Sequence, residues 1–295
     1  MNDSLKFNIL TIEDKDRVQS YLAKSPYMGC ETVFTNLYAW NDTFPYELAF
    51  DSDFLYIRYK IGGKIRYSMP LGNGDMKAAV EKLIIDSGEL GIKLKIGFAG
   101  SQQVSLLSQH FPDKFKINQY RDSFDYVYLS SSLAELRGKK LHSKRNHVNK
   151  FISMYPDYSV DEITEKNIDK CYEVYDGWKL SSSPDEGEYK AIKRVLSNYR
   201  ELGCFGIILK VENKPVAFCY GTARSNDMFV THVEKALYEY QGAFNMINME
   251  FAKRLTKYKY INREDDVGEE GLRKVKLSYK PHMLIEKYMA EYIYD

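Results

Sequence analysis

The amino-acid sequence predicts an α/β protein built from two similar units with mixed sheets. The chain has 295 residues, of which 44% are hydrophobic and 28% charged, so it can bury a core in each of two domains. Both halves show the same order of helices, an antiparallel meander, then helix, strand, helix and strand. This shared order predicts a duplicated unit, although no letter-by-letter repeat exists. We place an N-terminal domain at 1–129 and a C-terminal domain at 130–295, which opens with a basic linker helix over 130–157.

The first half opens with a short strand and two helices. The strand covers 6–10, the first helix 13–23 and the second 31–41, whose aromatic residues are more typical of a core than of a cofactor site. Segments of alternating, aromatic-rich residues separated by turn residues then predict a meander. The later predicted elements are strands over 46–50, 54–60 and 64–70, a helix over 76–88, a strand over 94–100, a helix over 101–111 and a strand over 123–130.

The second half repeats this arrangement. Its apolar periodicity predicts helices over 167–180 and 189–202 before a three-stranded meander. The later predicted elements are strands over 204–211, 216–224 and 228–236, a helix over 242–258, a strand over 259–263, a helix over 269–279 and a strand over 283–290.

Charge and cysteine content limit the classes of protein. The 42 basic residues nearly balance the 41 acidic ones, which argues against a general nucleic-acid coat protein but leaves room for a local basic patch. The four cysteines are scattered, as expected in a reducing compartment. No apolar segment resembles a signal peptide or approaches the ~18–20 residues of a membrane span, so we expect a soluble cytoplasmic protein.

Several catalytic chemistries lack their sequence motifs. The five histidines include no HxxxH pair, and we expect no metal site. A nucleophile elbow and a phosphate-binding P-loop are also missing from the sequence. An enzyme with this sequence would therefore work by positioning and proton transfer rather than by metal or covalent catalysis.

A basic segment joins the two halves. From 137 to 150 there are six Lys or Arg residues and no acid, and Ser132 with Glu135 forms a capping-box pattern before them. One interpretation is a solvated linker helix. The other is a polyanion site, because acids normally alternate with bases on an exposed helix. Its candidate phosphate-binding residues are Lys139, Lys140, Lys144 and Arg145.

A second phosphate-binding candidate follows the strand that carries Glu234. Gln241, Gly242 and Ala243 lie where the next helix begins, and exposed N–H groups at a helix N-terminus can bind a phosphate. This short sequence is also common in ordinary turns.

The segment YINREDDVGEEGLRKVKLSYKP, residues 260–281, combines a charged turn with a helix. Lys274 has Glu270 one turn before it, whereas Lys276 has no acidic neighbour within the helix. Arg273 and Lys276 lie on one side of this helix. They could clamp a carboxylate, a phosphate or a carbonyl oxygen that gains charge.

Polar residues also lie where the preceding strand ends. Asn262, Glu264 and Asp265 occupy the edge at which open α/β sheets bind ligands. Glu264 or Asp265 could hold the amino group of an aminoacyl moiety, and Glu264 or Glu234 could accept a proton. Tyr279 could donate a proton to a leaving group, as could Tyr238. Each acid could equally be a turn or capping residue.

The order strand, strand, Gln-Gly, helix resembles the GNAT N-acyltransferase fold. Residues 260–281, together with ETVFTNLYAW (31–40) and LAELRGKKLHSKRNHVNKF (133–151), resemble a bacterial family similar to the C-terminal catalytic domain of phosphatidylglycerol lysyltransferase and to the Fem aminoacyltransferases. The resemblance implies two tandem GNAT-like units and transfer of an acyl or aminoacyl group to an amine or hydroxyl. The implied donor is an aminoacyl-tRNA or acyl-CoA. We therefore expect acyl-CoA or aminoacyl-tRNA to act as a donor substrate, and we expect no permanently bound cofactor.

The sequence leaves two functions open. One is a transferase in which the basic segment binds the phosphates of the donor, with tRNA as a partner. The other is a non-catalytic protein that uses the same fold to bind a small metabolite or aminoacyl compound.

Overall fold

The chain folds into two compact units in a computed structural model that describes residues 4–182 and 186–294. Unit 1 comprises residues 1–124 and 285–295, and unit 2 comprises residues 125–284. The boundary therefore lies close to the predicted position at 129/130. The C-terminal segment differs from the prediction, because it joins unit 1 instead of unit 2.

Unit 1 contains a mixed eight-stranded sheet whose path runs β1-β2-β3-β4-β6-β15-β7, with β5 paired to β3. Strands β4 and β6 are parallel, and β15 lies antiparallel between β6 and β7. Its strands are β1 (Asn8–Ile9), β2 (Tyr46–Phe50), β3 (Phe54–Ile61), β4 (Lys64–Ser68), β5 (Leu71–Gly72), β6 (Lys95–Gly100), β7 (Phe115–Gln119) and β15 (Lys287–Tyr292). Its helices are α1 (Lys15–Leu22), α2 (Phe34–Ala39), α3 (Met76–Glu89) and α4 (Ser101–His110).

Unit 2 contains a seven-stranded sheet in the order β14-β8-β13-β12-β11-β10-β9. Its strands are β8 (Asp125–Leu129), β9 (Tyr158–Glu162), β10 (Phe205–Val211), β11 (Lys214–Ala223), β12 (Met228–Ala236), β13 (Tyr260–Asn262) and β14 (Met283–Ile285). Its helices are α5 (Ser130–Glu135), α6 (His142–Met154), α7 (Asp169–Lys179), α8 (Glu186–Ser197), α9 (Ala243–Arg254) and α10 (Glu270–Ser278). Short 3-10 helices cover Ile12–Asp14, Cys30–Thr32, Arg121–Ser123 and Lys139–Leu141.

Helix α9 forms the centre of the unit 2 core. Eight of its residues, from Ala243 to Ala252, are buried, as expected of a helix that is apolar on most sides. Met246, Ile247 and Phe251 pack with Cys219 and Phe229 of the sheet in one continuous cluster. The two asparagines of α9 therefore lie in an apolar setting, where polar groups need partners.

The predicted basic linker helix is broken into two helices. Helix α5 ends at Glu135, its C-cap Leu136 has a left-handed φ of 48°, and Gly138 has a φ of 84°. A left-handed residue ends an α-helix, and glycine adopts this conformation readily. The predicted capping box is also wrong: Ser132 lies inside α5, whose N-cap is Leu129.

Most other predicted elements are confirmed with small shifts of their ends, and β12 has its predicted bounds. Strands β7 and β9 were not predicted. Both are partly exposed, so their sequences lack a continuous apolar side. The predicted strand over 283–290 divides into β14 and β15, which belong to different sheets.

Candidate functional site

The candidate site lies where β12 and β13 stop pairing. The two strands are parallel neighbours only from Met228↔Tyr260 to Val230↔Asn262. Strand β12 continues to Ala236, whereas β13 ends at Asn262. Beyond the last pair, polar side chains from both chain segments lie close together and form two clusters.

The first cluster is centred on Glu234 of β12. Arg263, which directly follows β13, donates from Nη2 to Glu234 Oε1 over 2.9 Å. Asn248 of α9 donates from Nδ2 to Glu234 Oε2, also over 2.9 Å. Both oxygens of the predicted catalytic carboxylate therefore have a fixed partner.

Two polar atoms beside this carboxylate are buried without a hydrogen bond. Among the residues that the structure describes, Arg263 Nη1 and Asn248 Oδ1 have no hydrogen-bond partner. The Arg263 side chain is 9% exposed and Asn248 4%. Buried unsatisfied polar groups cost about 1–3 kcal/mol each and are rare in folded proteins. One of these atoms is a donor and the other an acceptor, which fits a ligand that carries both types of group.

Aromatic and basic residues extend this cluster. The Arg263 guanidinium lies 4.9 Å from the ring of Tyr279 and 5.7 Å from that of Tyr128. Lys144 Nζ lies 4.5 Å from the Tyr279 ring, and Asn245 Nδ2 donates to the Tyr279 hydroxyl over 2.6 Å. We call Glu234, Arg263, Asn248, Lys144, Tyr279, Tyr128 and Asn245 the arginine cluster.

Burial and neighbouring charges shift the pKa values within the arginine cluster. It lowers the pKa of Lys144, and the nearby Arg263 charge lowers it further. Burial raises the pKa of Tyr279 to about 12, so its hydroxyl stays protonated at neutral pH. Burial alone would lower the pKa of Arg263, but the Glu234 carboxylate together with the nearby Tyr128, Tyr279 and Cys219 outweighs it and raises that pKa.

The second cluster contains Thr222, His232 and Glu264. Thr222 Oγ1 lies 2.7 Å from His232 Nε2, and His232 Nδ1 lies 2.8 Å from Glu264 Oε1. The predicted catalytic residue Glu264 thus contacts His232, a histidine that no sequence pattern distinguished.

Asn262, predicted to bind substrate, is fully buried. Its Nδ2 donates to Asp125 Oδ2 over 2.8 Å, and its Oδ1 accepts from the backbone N–H of Glu264 over 2.8 Å. Both ends of this amide hold the strand end in place.

The predicted Arg273–Lys276 clamp is bound to the protein's own loop. Arg273 donates from Nε and Nη2 to the two carboxylate oxygens of the fully buried Asp266, over 2.9 and 2.8 Å. Lys276 is 7% exposed and donates to the carbonyl of Arg263 over 2.6 Å and to that of Asp265. The Asp265 side chain accepts from the N–H of Val267 over 3.3 Å. Lys276, which has no acidic neighbour within the helix, thus has backbone carbonyls as partners, and a role for this clamp in substrate binding stays a prediction.

The glycine turn before α9 is closely packed. Gly242 has a φ of 89°, and a Cβ at this position would lie 2.6 Å from the carbonyl oxygen of His147 in α6. Gln241 is exposed and Ala243 is buried. The glycine is therefore required by the contact between α9 and α6, and a phosphate at this helix end stays a prediction.

The basic residues of the linker divide into two kinds. Lys139 and Lys140 are exposed. Arg145 donates from Nη1 to the carbonyls of Leu136 over 2.6 Å and of Gly138 over 3.4 Å, so it stabilises the break between α5 and α6. Lys144 belongs to the arginine cluster.

Sequence reasoning missed six residues of the two clusters: Arg263, Asn245, Asn248, Tyr128, Thr222 and His232. Arg263 lies within residues 260–281, but its acidic neighbours Glu264 and Asp265 were chosen as candidates instead. Two asparagines three residues apart in the otherwise apolar start of α9 were an available signal for Asn245 and Asn248. Thr222 and His232 lie in strands whose composition is ordinary for a buried sheet.

None of the helices among residues 4–182 and 186–294 has the length and apolar character that crossing a membrane requires.

Together, the two mixed sheets and the separated strands define a tandem GNAT-like fold. A tandem GNAT protein from the clavulanic acid biosynthesis pathway has this architecture: it is 9% identical, with a TM-score of 0.51 over 99% of this chain and 100% of that one. The sequence model of the family "Phosphatidylglycerol lysyltransferase, C-terminal" matches residues 23–291. The chain belongs to this family.

Two solved structures are more similar. A conserved protein of unknown function from Bacteroides thetaiotaomicron is 39% identical, with a TM-score of 0.94 over 98% of this chain and 100% of that one. The C-terminal domain of a putative lysylphosphatidylglycerol synthetase from Agrobacterium fabrum is 14% identical, with a TM-score of 0.71 over 95% of this chain and 91% of that one. The second likeness shows the fold alone.

A curated relative, an uncharacterized protein of Mycoplasmoides gallisepticum, is 24% identical over 182 residues. This match spans 59% of the present chain and 58% of the length of that relative.

Proposed function

We propose that this protein transfers an aminoacyl group from a phosphate-bearing donor, an aminoacyl-tRNA, to an amine or hydroxyl acceptor. The observation that carries the proposal is the buried donor and acceptor, Arg263 Nη1 and Asn248 Oδ1, on either side of the Glu234 carboxylate. The family and the lysylphosphatidylglycerol synthetase named among the similar structures support the reaction class.

An aminoacyl group has the matching chemistry. Its carbonyl oxygen accepts hydrogen bonds, as Arg263 Nη1 requires, and its ammonium donates them to Asn248 Oδ1 beside the negative Glu234. An acetyl group has a carbonyl oxygen that can accept from Arg263 Nη1, but it has no ammonium that could donate to Asn248 Oδ1. The site therefore favours an aminoacyl donor over acetyl-CoA.

The same contacts would assist the reaction. The carbonyl oxygen gains negative charge as the acceptor attacks, and a fixed guanidinium in a site of low exposure stabilises that charge. Glu234 holds the guanidinium in position through Nη2 and leaves Nη1 for the substrate. Lys144 and the exposed Lys139 and Lys140 supply positive charge for the donor phosphates.

The test uses tRNA charged with radiolabelled lysine. We expect the protein to release lysine from the tRNA, with water or added hydroxylamine as acceptor, faster than the uncatalysed reaction. Acetyl-CoA with hydroxylamine should give no acetyl transfer. Arg263→Lys keeps a charge beside Glu234 but removes the second guanidinium nitrogen, and should lower the rate roughly 10²-fold.

The exposed Lys274 provides the control, since Lys274→Met should leave the rate unchanged. Melting curves would verify that each variant folds. Acetyl transfer in place of lysine release, or an Arg263→Lys rate equal to that of the wild type, would contradict the proposal. Binding of charged tRNA without release would instead support the non-catalytic function.

A further inference from the structure

The hydrogen-bonded chain Thr222–His232–Glu264 is not used by the reaction described so far. It links a hydroxyl, an imidazole and a carboxylate over 2.7 and 2.8 Å. The exposure of Thr222 is 5%, that of the His232 side chain 4% and that of the Glu264 side chain 23%. A nucleophile or proton carrier, a base and a group that orients the base form the general pattern of side-chain activation.

The partners of His232 define where its protons lie. An ionised carboxylate only accepts hydrogen bonds, so Nδ1 of the neutral ring carries the hydrogen that faces Glu264. Nε2 is then an acceptor, and the Thr222 hydroxyl donates to it. The threonine oxygen thus faces a base that can take its proton.

Two backbone irregularities create this arrangement. The pairing of β11 with β12 shifts between Tyr220↔Val233 and Gly221↔Thr231, so His232 is an extra residue without a partner on β11. Glu264 has a φ of 57°, which is unfavourable for a residue with a side chain and costs about 1–3 kcal/mol. Its N–H is fixed by Asn262 Oδ1 and its carbonyl accepts from the N–H of Tyr126. Such irregularities are over-represented next to active sites.

The hydrogen-bonded chain Thr222–His232–Glu264 lies on the face of the sheet opposite α9. Glu234 contacts α9, whereas its neighbour Lys235 contacts Glu188 of α8 and the ring of Trp178 in α7. Phe218 of β11 pairs with Lys235, and Thr222 shares the face of Phe218 because strand side chains alternate.

The two clusters are joined by consecutive residues. Arg263 reaches Glu234 on one face, and Glu264 reaches His232 on the other. Arg263 and Glu264 both follow the last β12–β13 pair, so no ladder hydrogen bonds join β13 to β12 at their positions.

We propose that Thr222, His232 and Glu264 form the proton relay of the transfer reaction. This inference rests on the proposed function. As the acceptor nitrogen or oxygen forms its bond to the aminoacyl carbon, its proton passes to Thr222 Oγ1 while the Thr222 proton passes to His232 Nε2. Glu264 stabilises the resulting imidazolium. The bond from the aminoacyl carbon to the donor oxygen then breaks, and the proton returns along the same path to that oxygen.

The relay predicts a difference between acceptors. Water needs to lose a proton as it attacks, whereas hydroxylamine is a strong nucleophile at neutral pH without prior deprotonation. Release of lysine from charged tRNA into water should fall roughly 10²-fold in Thr222→Val and in Glu264→Gln, the scale of general-base catalysis. Thr222→Ser keeps the hydroxyl and should retain the rate within a few-fold. Hydroxylamine should restore most of the rate of both impaired variants.

Binding of the charged tRNA separates this role from a structural one. All three variants should bind it with wild-type affinity and melt as single transitions. A Thr222→Val protein with the wild-type rate in water would overturn the relay and leave the proposed function intact. A lysyl adduct on Thr222, detected by mass spectrometry, would overturn it in favour of covalent transfer. A wild-type protein that releases no lysine to either acceptor would overturn the proposed function and the relay together.

Discussion

At the scale of single residues, Lys276 shows how a buried charge can be satisfied without an acid. Its ammonium donates to the carbonyls of Arg263 and Asp265, the two residues on either side of Glu264. The lysine therefore fixes the loop that carries one residue of each polar cluster. Its role in the structure is to hold the loop that contributes Arg263 and Glu264 to the candidate site.

Replacing Lys276 by Met should destabilise the protein. The variant leaves two carbonyls without this donor in a site where water has little access, so we expect the free energy of unfolding to fall by about 1–3 kcal/mol. Lys274 is 79% exposed and its pair with Glu270 spans 3.5 Å, so Lys274→Met should change stability by no more than a few tenths of a kcal/mol. Urea unfolding of both variants measures the difference. Equal stabilities would contradict this account of Lys276.

Asp266 should make stability depend on acid pH. Burial would raise the pKa of this carboxyl, but hydrogen bonds from Arg273 and Tyr126 outweigh it and hold the pKa well below its usual 3.8. A depressed folded-state pKa gives stability that is present above the unfolded-state value and lost as the pH falls towards the folded-state value. Unfolding free energies measured from pH 6 downward should therefore decline below about pH 4.

Asp266→Asn is the matched variant for this effect. It should be less stable than the wild type at pH 6, and the difference should shrink as the pH falls below 4. A constant difference across this range would show that Asp266 does not contribute to the decline.

Residue identities in the site were only partly predictable. Glu234 and Glu264 were selected because acids at strand ends are conspicuous, and both lie in the polar clusters. Their partners Asn248 and His232 are 14 and 32 residues away in the chain, so no local pattern connects them. The partners of Lys276 were not predictable for a related reason: sequence spacing reveals acidic partners but not backbone carbonyls.

At the scale of elements, the contact between α6 and α9 depends on one glycine. Gly242→Ala would place a methyl group 2.6 Å from the carbonyl oxygen of His147, in a backbone conformation with a φ of 89°. We expect a loss of about 1–3 kcal/mol of stability.

Gly271 offers the control for this change. It lies within α10, and a Cβ there would meet no atom within 4 Å. Gly271→Ala should stabilise the protein by about 0.5–1 kcal/mol, because alanine is the better helix former. Thermal unfolding of the two variants should thus shift in opposite directions, and a shift in the same direction would count against the close contact.

The basic linker can be tested as a polyanion site. Lys139→Glu with Lys140→Glu should weaken tRNA binding and reduce the dependence of log Kd on log salt concentration by about one per lysine. Because both side chains are exposed, the melting temperature should change little. Arg145→Ala should instead lower the melting temperature, since it removes the donor to Leu136 and Gly138. Unchanged salt dependence in the double variant would leave these lysines as solvated surface.

Element positions were predicted best where a regular apolar period marks one buried face. Strand β12 and helix α3 were predicted within a residue because their apolar residues recur with a clear period. The break at Leu136 was not predicted, because the left-handed conformation falls on a leucine instead of on Gly138 alone. Arg145, which stabilises this break, could not be distinguished by sequence from the exposed basic residues near it.

At the scale of the whole molecule, the strand β15 closes the sheet of unit 1. It provides the antiparallel partner of both β6 and β7, and its buried Lys287 forms a 2.7 Å ion pair with Glu31. Removal of residues 286–295 should therefore expose the amides of β6 and β7 to hydrogen exchange. Amides of β10, β11 and β12 in unit 2 should keep their protection. A peptide of residues 286–295 added in excess should restore protection in β6 and β7.

Equal loss of protection in both units would contradict this division of the chain.

The duplicated architecture itself was predictable from the repeated order of elements. The crossing of β15 was not, because its local sequence KYMAEY does not indicate which of the two sheets it joins.

The position of β15 also affects how the protein folds during its synthesis on the ribosome. Between β7 and β15 the ribosome translates all 160 residues from 125 to 284, which takes roughly 8–32 s at typical rates of synthesis. During that interval β7 lacks its neighbour in the final sheet and β6 has one unpaired edge. The first unit to emerge is thus the last to be completed. A nascent chain stalled within this window would be the form of this protein most exposed to chaperones and to aggregation.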